Sequence, residues 1–368
     1  MSYRRFTSFM AACGCLAAVS TAPAAGPQDA APRAALASRL NAETQRYENL
    51  PNPGAQPNRS GWDIWSRFIF GGKPDNTVPT DAIPVRRLDR AALDALDDDG
   101  SHVIRLGHSS HLLKLRGKWW LIDPVFGERA SPFSFLGPRR FHAPPLALAD
   151  VPPIEALVLS HDHYDHLDAF TIEALKDRVQ RYLVPLGVGA RLRAWGIEAS
   201  RIEEFDWWQQ ATVGEVTATA APAHHFSGRG LWDRNSTLWA SWAFDVGGRQ
   251  RIYFSGDTAY FPGFKEIGER LGPFDIALME NGAYDSYWPQ AHMTPEETVQ
   301  AFRDVGARLL YLVHNSTFDL ALHPWREPMD RAADLAEKAG VALATPEIGE
   351  VLTLGRLREN RRWWQDLR

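Results

Sequence analysis

Ser160-His161-Asp162-His163-Tyr164-Asp165-His166 follows directly on the apolar run Ala156-Leu157-Val158-Leu159. Within seven residues it gathers three imidazoles and two carboxylates. A buried strand ending in such a turn delivers neutral nitrogen donors and a hard oxygen donor to one point, the mixture that a divalent metal of borderline softness selects. With twelve histidines in 368 residues, composition alone does not account for the H-x-H-x-D-H spacing.

Neighbouring residues on one turn reach only part of a coordination sphere, so further donors must come from elsewhere. Three candidates follow runs that read as strands: His224-His225 after Val216–Ala221, Asp257 in Ile252-Tyr253-Phe254-Ser255-Gly256-Asp257-Thr258, and His314 after Leu309–Val313. Any one of these alone reads more plainly as a structural residue. Polar donors placed repeatedly at strand ends are what packed sheets with a site along one rim produce.

The pattern resembles the metallo-β-lactamase fold, and within it the branch of N-acylphosphatidylethanolamine-hydrolysing phospholipase D and its bacterial relatives. The resemblance runs from about Leu106 to about Pro328. It is carried by Leu106-Gly107-His108-Ser109-Ser110, Ile122-Asp123-Pro124-Val125-Phe126, Arg129-Ala130-Ser131-Pro132, the histidine turn and His314-Asn315-Ser316-Thr317-Phe318. The turn marks only the superfamily. Gly137-Pro138-Arg139-Arg140-Phe141, Asp233-Arg234-Asn235 with Leu238-Trp239, and Gly282-Ala283-Tyr284 point to the branch.

The resemblance implies an α/β chain folded as an αββα sandwich around two Zn2+ ions. It implies that His161, His163 and His225 hold one metal, that Asp165, His166 and His314 hold the other, and that Asp257 bridges them. His225 rather than His224 matches the family's Pro-x-x-His spacing, counted from Pro222. The family also places a histidine near the substrate phosphate, which His292 in Gln290-Ala291-His292-Met293-Thr294-Pro295 fits. The plainer reading of His292 is a turn residue ahead of a helix starting at Thr294-Pro295-Glu296-Glu297, good N-cap and first-turn chemistry. Asp165 and His292 are thus the expected catalytic residues, with Asp123 and His108 orienting ligands. Arg129, Arg139 and Arg140 are candidates to grip a phosphate. The implied reaction is hydrolysis of a phospholipid-like phosphodiester. Lactone opening on the same site is the alternative; β-lactam cleavage and a non-catalytic zinc-binding protein stand further off.

Hydrophobic content of 45 % and charged content of 23 % are ordinary for a globular chain. A formal charge of −5 offers no electrostatic reason to expect nucleic acid, so the expected partner is a small molecule or lipid. Fourteen tryptophans include the pairs Trp119-Trp120, Trp207-Trp208 and Trp363-Trp364. Core packing is their first reading. Flanked by Arg358, Arg361, Arg362 and Arg368, the last pair also reads as a peripheral membrane contact.

Met1–Arg5 is short and basic, Phe6–Val19 is apolar and small, and Ala22-Pro23-Ala24 is an A-x-A cleavage signal, so residues 1–25 read as an export signal. The expected location is outside the cytoplasm, in a bacterial periplasm or anchored as a lipoprotein. Met10-Ala11-Ala12-Cys13 resembles a lipoprotein box, and both cysteines lie inside the signal, so cleavage after Ala24 leaves no thiol for a disulfide or for zinc. Residues 26–60 read as a linker or N-terminal arm with one helix over Ala34–Tyr47, and residues 61–368 as the hydrolase domain.

From residue 100 onward, strand patterns at Val103–Leu106, Leu112–Arg116, Trp119–Ile122, Ala156–Leu159, Tyr182–Val184, Val216–Ala220, Leu238–Phe244, Arg251–Phe254, Ile276–Met279 and Leu309–Val313 alternate with helical ones. The helical patterns are Phe170–Val179, Gly187–Trp195, Pro262–Leu271, Pro295–Asp304 and Arg331–Ala339. Many strands with interspersed helices are the pattern of sheets covered by helices.

Overall fold

A computed structural model describes residues 36–53, 55–356 and 360–368. The export signal and both cysteines fall outside these residues. An N-terminal hairpin pairs β1 (Arg39–Asn41) with β2 (Arg46–Glu48) where a helix was expected. Asn41 closes it: its side chain accepts from Glu43 and Thr44 N–H, a local turn that competes with helix. The hairpin and the segment after it are bonded to the body, through Tyr47 N–H to Asn235 O at 2.8 Å and Asn52 Nδ2 to Tyr260 O at 2.7 Å.

The strands of the first half are β3 (His102–Gly107), β4 (Ser110–Leu115), β5 (Lys118–Ile122), β6 (Ile154–Val158), β7 (Val179–Pro185) and β8 (Ile202–Phe205). Those of the second are β9 (Gln210–Val213), β10 (Val216–Ala221), β11 (Ser241–Val246), β12 (Gln250–Phe254), β13 (Ile276–Glu280), β14 (Leu310–Val313) and β15 (Leu343–Ala344). A final strand, β16 (Val351–Thr353), returns to pair with β3. Each half is a sheet of seven strands, ordered β16-β3-β4-β5-β6-β7-β8 and β9-β10-β11-β12-β13-β14-β15. Both begin as an antiparallel meander and continue with parallel strands, so two structurally similar halves exist without a visible sequence repeat.

The helices are α1 (Gly61–Phe70), α2 (Arg90–Asp94), α3 (Ala169–Leu175), α4 (Gly189–Ala194), α5 (Gly263–Leu271), α6 (Pro295–Asp304) and α7 (Glu327–Lys338). Alternation along each strand divides the core into layers. Val103, Trp120, Ala156 and Val158 meet Ala218, Trp242, Phe254 and Tyr311 between the sheets. Ile104, Leu121, Leu157 and Leu159 turn outward onto Ile172 and Leu175 of α3 and Leu192 of α4. Tyr253, Met279 and Leu312 do the same onto Phe264, Phe302 and Ala332 of α5, α6 and α7. The result is the αββα sandwich.

Three expectations need correction. The helix predicted over Phe170–Val179 ends at Leu175, because Val179 pairs with Ile154 as the first residue of β7. The strand predicted over Leu238–Phe244 starts at Ser241; Leu238 and Ala240 instead donate to Leu186 O and Ser160 O, lacing one sheet to the other. Trp364 is buried, donating Nε1 to Asp330 at 2.8 Å, and Arg362 pairs with Asp334 and Glu337. Trp364 therefore closes a small core with Trp325 and Met329 and is not exposed as a surface anchor.

Candidate metal centre

The histidine turn starts where β5 and β6 stop side by side. Asp123, just past β5, is fully buried and accepts from Ser160 N–H at 2.7 Å, while its other oxygen lies 2.7 Å from His166 Nδ1. Leu167 N–H closes the turn onto His163 O at 2.8 Å. Asp162 points away from the other turn side chains; it accepts from Arg191 Nε and from Gly228 N–H, each at 2.7 Å. It braces the turn, leaving His161, His163, Asp165 and His166 to face the rim.

The remaining candidates arrive from the second sheet, at the ends of β10, β12 and β14. Their side chains form two four-residue groups, and Asp257, His292 and His314 make a third that overlaps them. His161, His163, His225 and Asp257 present donor atoms within 4.8 Å of one another, as do Asp165, His166 and His314 together with His108. Asp257 faces both: its oxygens lie 3.1 Å from His166 Nε2 and 2.9 Å from His314 Nε2, and 3.9 and 3.8 Å from His161 and His225 Nε2. The structure thus brings together His161, His163 and His225, and Asp165, His166 and His314, with His108 added to the second set. His108 Nε2 sits 2.9 Å from Asp165 Oδ2, so it can orient that carboxylate or join it.

His224 is apart from both groups, beside Phe261, with its backbone N–H donated to Thr258 Oγ1 at 3.0 Å. Its neighbour His225 has Nδ1 at 2.9 Å from Ala291 O, which directs Nε2 toward His163. The spacing argument and the geometry agree on His225.

The donor set fits divalent cations. His161 Nε2 and His163 Nδ1 face each other at 2.8 Å, two ring nitrogens converging on one point. Asp257 Oδ1, His166 Nε2 and His314 Nε2 are buried without a well-aligned hydrogen bond. Burial, together with neighbouring imidazoles, holds His161 and His225 well below the ordinary histidine pKa, so they are neutral donors. At His166 burial is outweighed by Asp257 and Asp165, which hold it well above that value. The same effect, led by Asp257, raises His314 to about 10. Two buried carboxylates thus demand positive charge here, which a metal supplies to the same atoms.

Backbone conformation marks the rim as well. His108, Asp123, His314 and Ser316 have left-handed φ of 52°, 40°, 63° and 61°, and such strain is held only where surrounding structure enforces it. Gly282 passes so close to the His314 carbonyl that a Cβ would lie 2.2 Å from that oxygen.

His292 lines the cavity beside the groups, a space of about 410 Å³ walled by Ile64, Phe226, Trp288 and Leu320. It is not the helix cap; Thr294 caps α6 with Glu297 in a capping box. His292 Nδ1 lies 2.5 Å from Glu280 Oε1. Glu280, at the end of β13, is fully buried, and its second oxygen accepts from Thr258 N–H at 3.2 Å. Sequence reading passed over Glu280 as a role-bearing residue; an acidic residue closing an apolar strand, level with Asp257 and His314 on neighbouring strands, was the available signal.

The three arginines expected to grip a phosphate do not reach this cavity. Arg129 donates to Ser134 O and Gly137 O, Arg139 pairs with Glu128, and Arg140 reaches Val125 O and Gly127 O. They close their own loop.

A metal-gathering rim on an αββα sandwich defines the class: the chain belongs to the metallo-β-lactamase superfamily, whose beta-lactamase superfamily domain profile matches residues 118–315. Among its relatives is the uncharacterized protein Rv0906 of Mycobacterium tuberculosis, 51 % identical over 310 residues that cover 83 % of this chain and 80 % of that one. N-acyl-phosphatidylethanolamine-hydrolyzing phospholipase D 1 of Caenorhabditis elegans is 34 % identical over 294 residues, 75 % of this chain and 82 % of that one. The fold is shared with Igni18, a metallo hydrolase of Ignicoccus hospitalis, at a TM-score of 0.54 and 19 % identity over 70 % of this chain and 100 % of that one.

Proposed function

We propose that this protein is a two-zinc phosphodiesterase acting on phospholipid-like substrates of the N-acylphosphatidylethanolamine type, and that it works outside the cytoplasm. The observation that carries the reading is the convergence of two donor groups on a shared Asp257, beside a cavity whose walls are mostly apolar. The C. elegans relative's named activity supports the substrate class.

His161, His163, His225 and Asp257 would hold one zinc and Asp165, His166 and His314 another, which would supply Lewis acidity and activation of water. His161 and His225 keep their donor nitrogens aligned through Ser160 and Ala291, and Asp257 lies against His166 and His314. Ile64, Phe226, Trp288 and Leu320 exclude bulk water and accommodate an acyl portion. His292, held at Nδ1 by Glu280, turns Nε2 to the substrate and gives a proton to the departing oxygen. Burial and the nearby Asp257 hold the Glu280 carboxyl well above the ordinary range and burial lowers His292 to about 4, so the shared proton rests on Glu280 and passes to Nδ1 as Nε2–H is given up.

The test compares zinc-loaded protein on bis(p-nitrophenyl) phosphate, N-acylphosphatidylethanolamine vesicles, a γ-lactone and a β-lactam. Phosphodiester cleavage is expected to dominate, and His292→Ala to lower kcat about 10²–10⁴-fold with zinc content unchanged. Faster lactone opening by wild type transfers the assignment to the lactonase alternative.

A further inference from the structure

Most arginines around the site are occupied in holding the scaffold. Arg191 bridges Asp162 and Asp233; Arg229 donates to Asp162 O and Leu167 O and stacks on Tyr164. Arg129, Arg139 and Arg140 are committed to their own loop. Arg234 differs. It lines the metal cavity, and among the described residues its guanidinium has neither hydrogen bond nor ion pair; its one described partner is the Phe226 ring, 4.6 Å away.

The position is built rather than incidental. Phe226 itself packs on His163 and His225 at ring distances of 4.5 and 4.6 Å, so Arg234 is one aromatic ring removed from the donor groups. The residues on either side are clamped. Asp233 accepts from Arg229 and Gly230 N–H and from Arg191, and Asn235 donates N–H to Ser227 O at 2.9 Å and Nδ2 to Tyr47 O at 3.0 Å. Gly228, at φ 130°, allows the chain to fold back, since a Cβ there would lie 3.0 Å from Arg234 Cα. Arg234 is exposed at the mouth of the cavity, where partial desolvation lowers its pKa and no carboxylate counters it. The acids lining that cavity are Asp165 and Asp257, both engaged with histidines.

An arginine with one face on an aromatic ring keeps its edge donors free, and a guanidinium edge matches two oxygens of a phosphate. We infer that Arg234 is the residue that receives the anionic group of the substrate at the metal cavity and so makes this site select against neutral ligands of the same apolar bulk. The inference rests on the phosphodiesterase reading for its substrate class, but binding alone can test it.

Zinc-loaded wild type, Arg234→Met and Arg234→Lys are titrated calorimetrically with octyl phosphate and with 1-octanol. Arg234→Met is expected to weaken octyl phosphate about tenfold or more while 1-octanol changes less than about twofold, and Arg234→Lys to recover only part of the difference, through its point charge without the fork. Equal weakening of both ligands assigns Arg234 to shaping the wall and overturns the inference, as does unchanged octyl phosphate binding. A protein that binds octyl phosphate through Arg234 yet cleaves no phosphodiester keeps this inference and discards the phosphodiesterase reading. The reverse result separates them the other way.

Discussion

The two halves of the sandwich feed the rim in different ways. The first sheet supplies His161, His163, Asp165 and His166 from a single turn after β6, locked by the buried carboxylates Asp123 and Asp162. The second supplies His225, Asp257 and His314 singly, from the ends of three strands, with Gly256 and Gly282 allowing the close backbone approach. A site assembled this way has one half fixed by local hydrogen bonds and the other by strand register. Asp257, from the register-dependent half, is the residue that both donor groups need.

That difference sets the largest expected effect. Asp257→Ala should lower kcat/KM on bis(p-nitrophenyl) phosphate by about 10⁴-fold or more, beyond what Asp165→Ala does, because one change disables both groups and the other a single group. Steady-state kinetics on zinc-reconstituted variants checks it. Equal losses would show that Asp257 is not shared.

Next come the two kinds of support. Asp123→Asn leaves the Ser160–His166 turn without its anionic anchor, and a lost supporting partner of this kind typically costs about 10–100-fold in metal affinity. Gly282→Ala forces a Cβ onto the His314 carbonyl and should weaken the group containing His314 while sparing that of His161, His163 and His225. Competitive zinc titration against a chromophoric chelator separates the cases. Loss of both sites in Gly282→Ala would mean that the halves are not independently supported.

A smaller effect tests the group behind His292. Glu280→Gln keeps the shape and removes the carboxyl proton; kcat should fall about tenfold with zinc stoichiometry unchanged. An unaltered kcat makes Glu280 a packing residue.

The effect with no bearing on the chemistry lies away from the rim, where β4 and β14 place His111 Nε2 3.0 Å from the Tyr311 hydroxyl. Burial pushes the His111 pKa down to about 3. Because this lies below the value of about 6.5 for an unfolded chain, the folded state binds fewer protons. Stability present above about pH 6.5 is then lost as pH falls toward 3, by at most about 1.4 kcal/mol per pH unit from this group. Urea unfolding between about pH 6.5 and 4.5 should show the slope, and His111→Gln should reduce it without abolishing it, since burial lowers His108 and His142 to about 3 as well.

How much of this was legible in the sequence depends on the same division. The turn is contiguous, so its chemistry shows in seven letters. His225, Asp257 and His314 were legible only as polar residues after apolar runs, and their division into two sets came from the family resemblance. Glu280 and Arg234 escaped because their roles depend on what lies across the cavity: a histidine twelve residues along the chain for one, the ring of Phe226 on the same loop for the other. Short edge strands such as β8 and β9, with Glu203, Glu204 and Gln210 facing outward in part, carry too few apolar residues to stand out. The β1–β2 hairpin was misread because helix-favouring residues at Ala42 and Glu43 were outweighed by the Asn41 turn.

The central claim is that two metals share one carboxylate, and metal stoichiometry tests it most directly. Protein reconstituted with zinc and freed of excess should carry about two equivalents per chain by mass spectrometry of the metal, falling to about one in Asp165→Ala or His166→Ala. A wild type that remains at one equivalent under zinc-replete conditions, with both variants fully active, would contradict it.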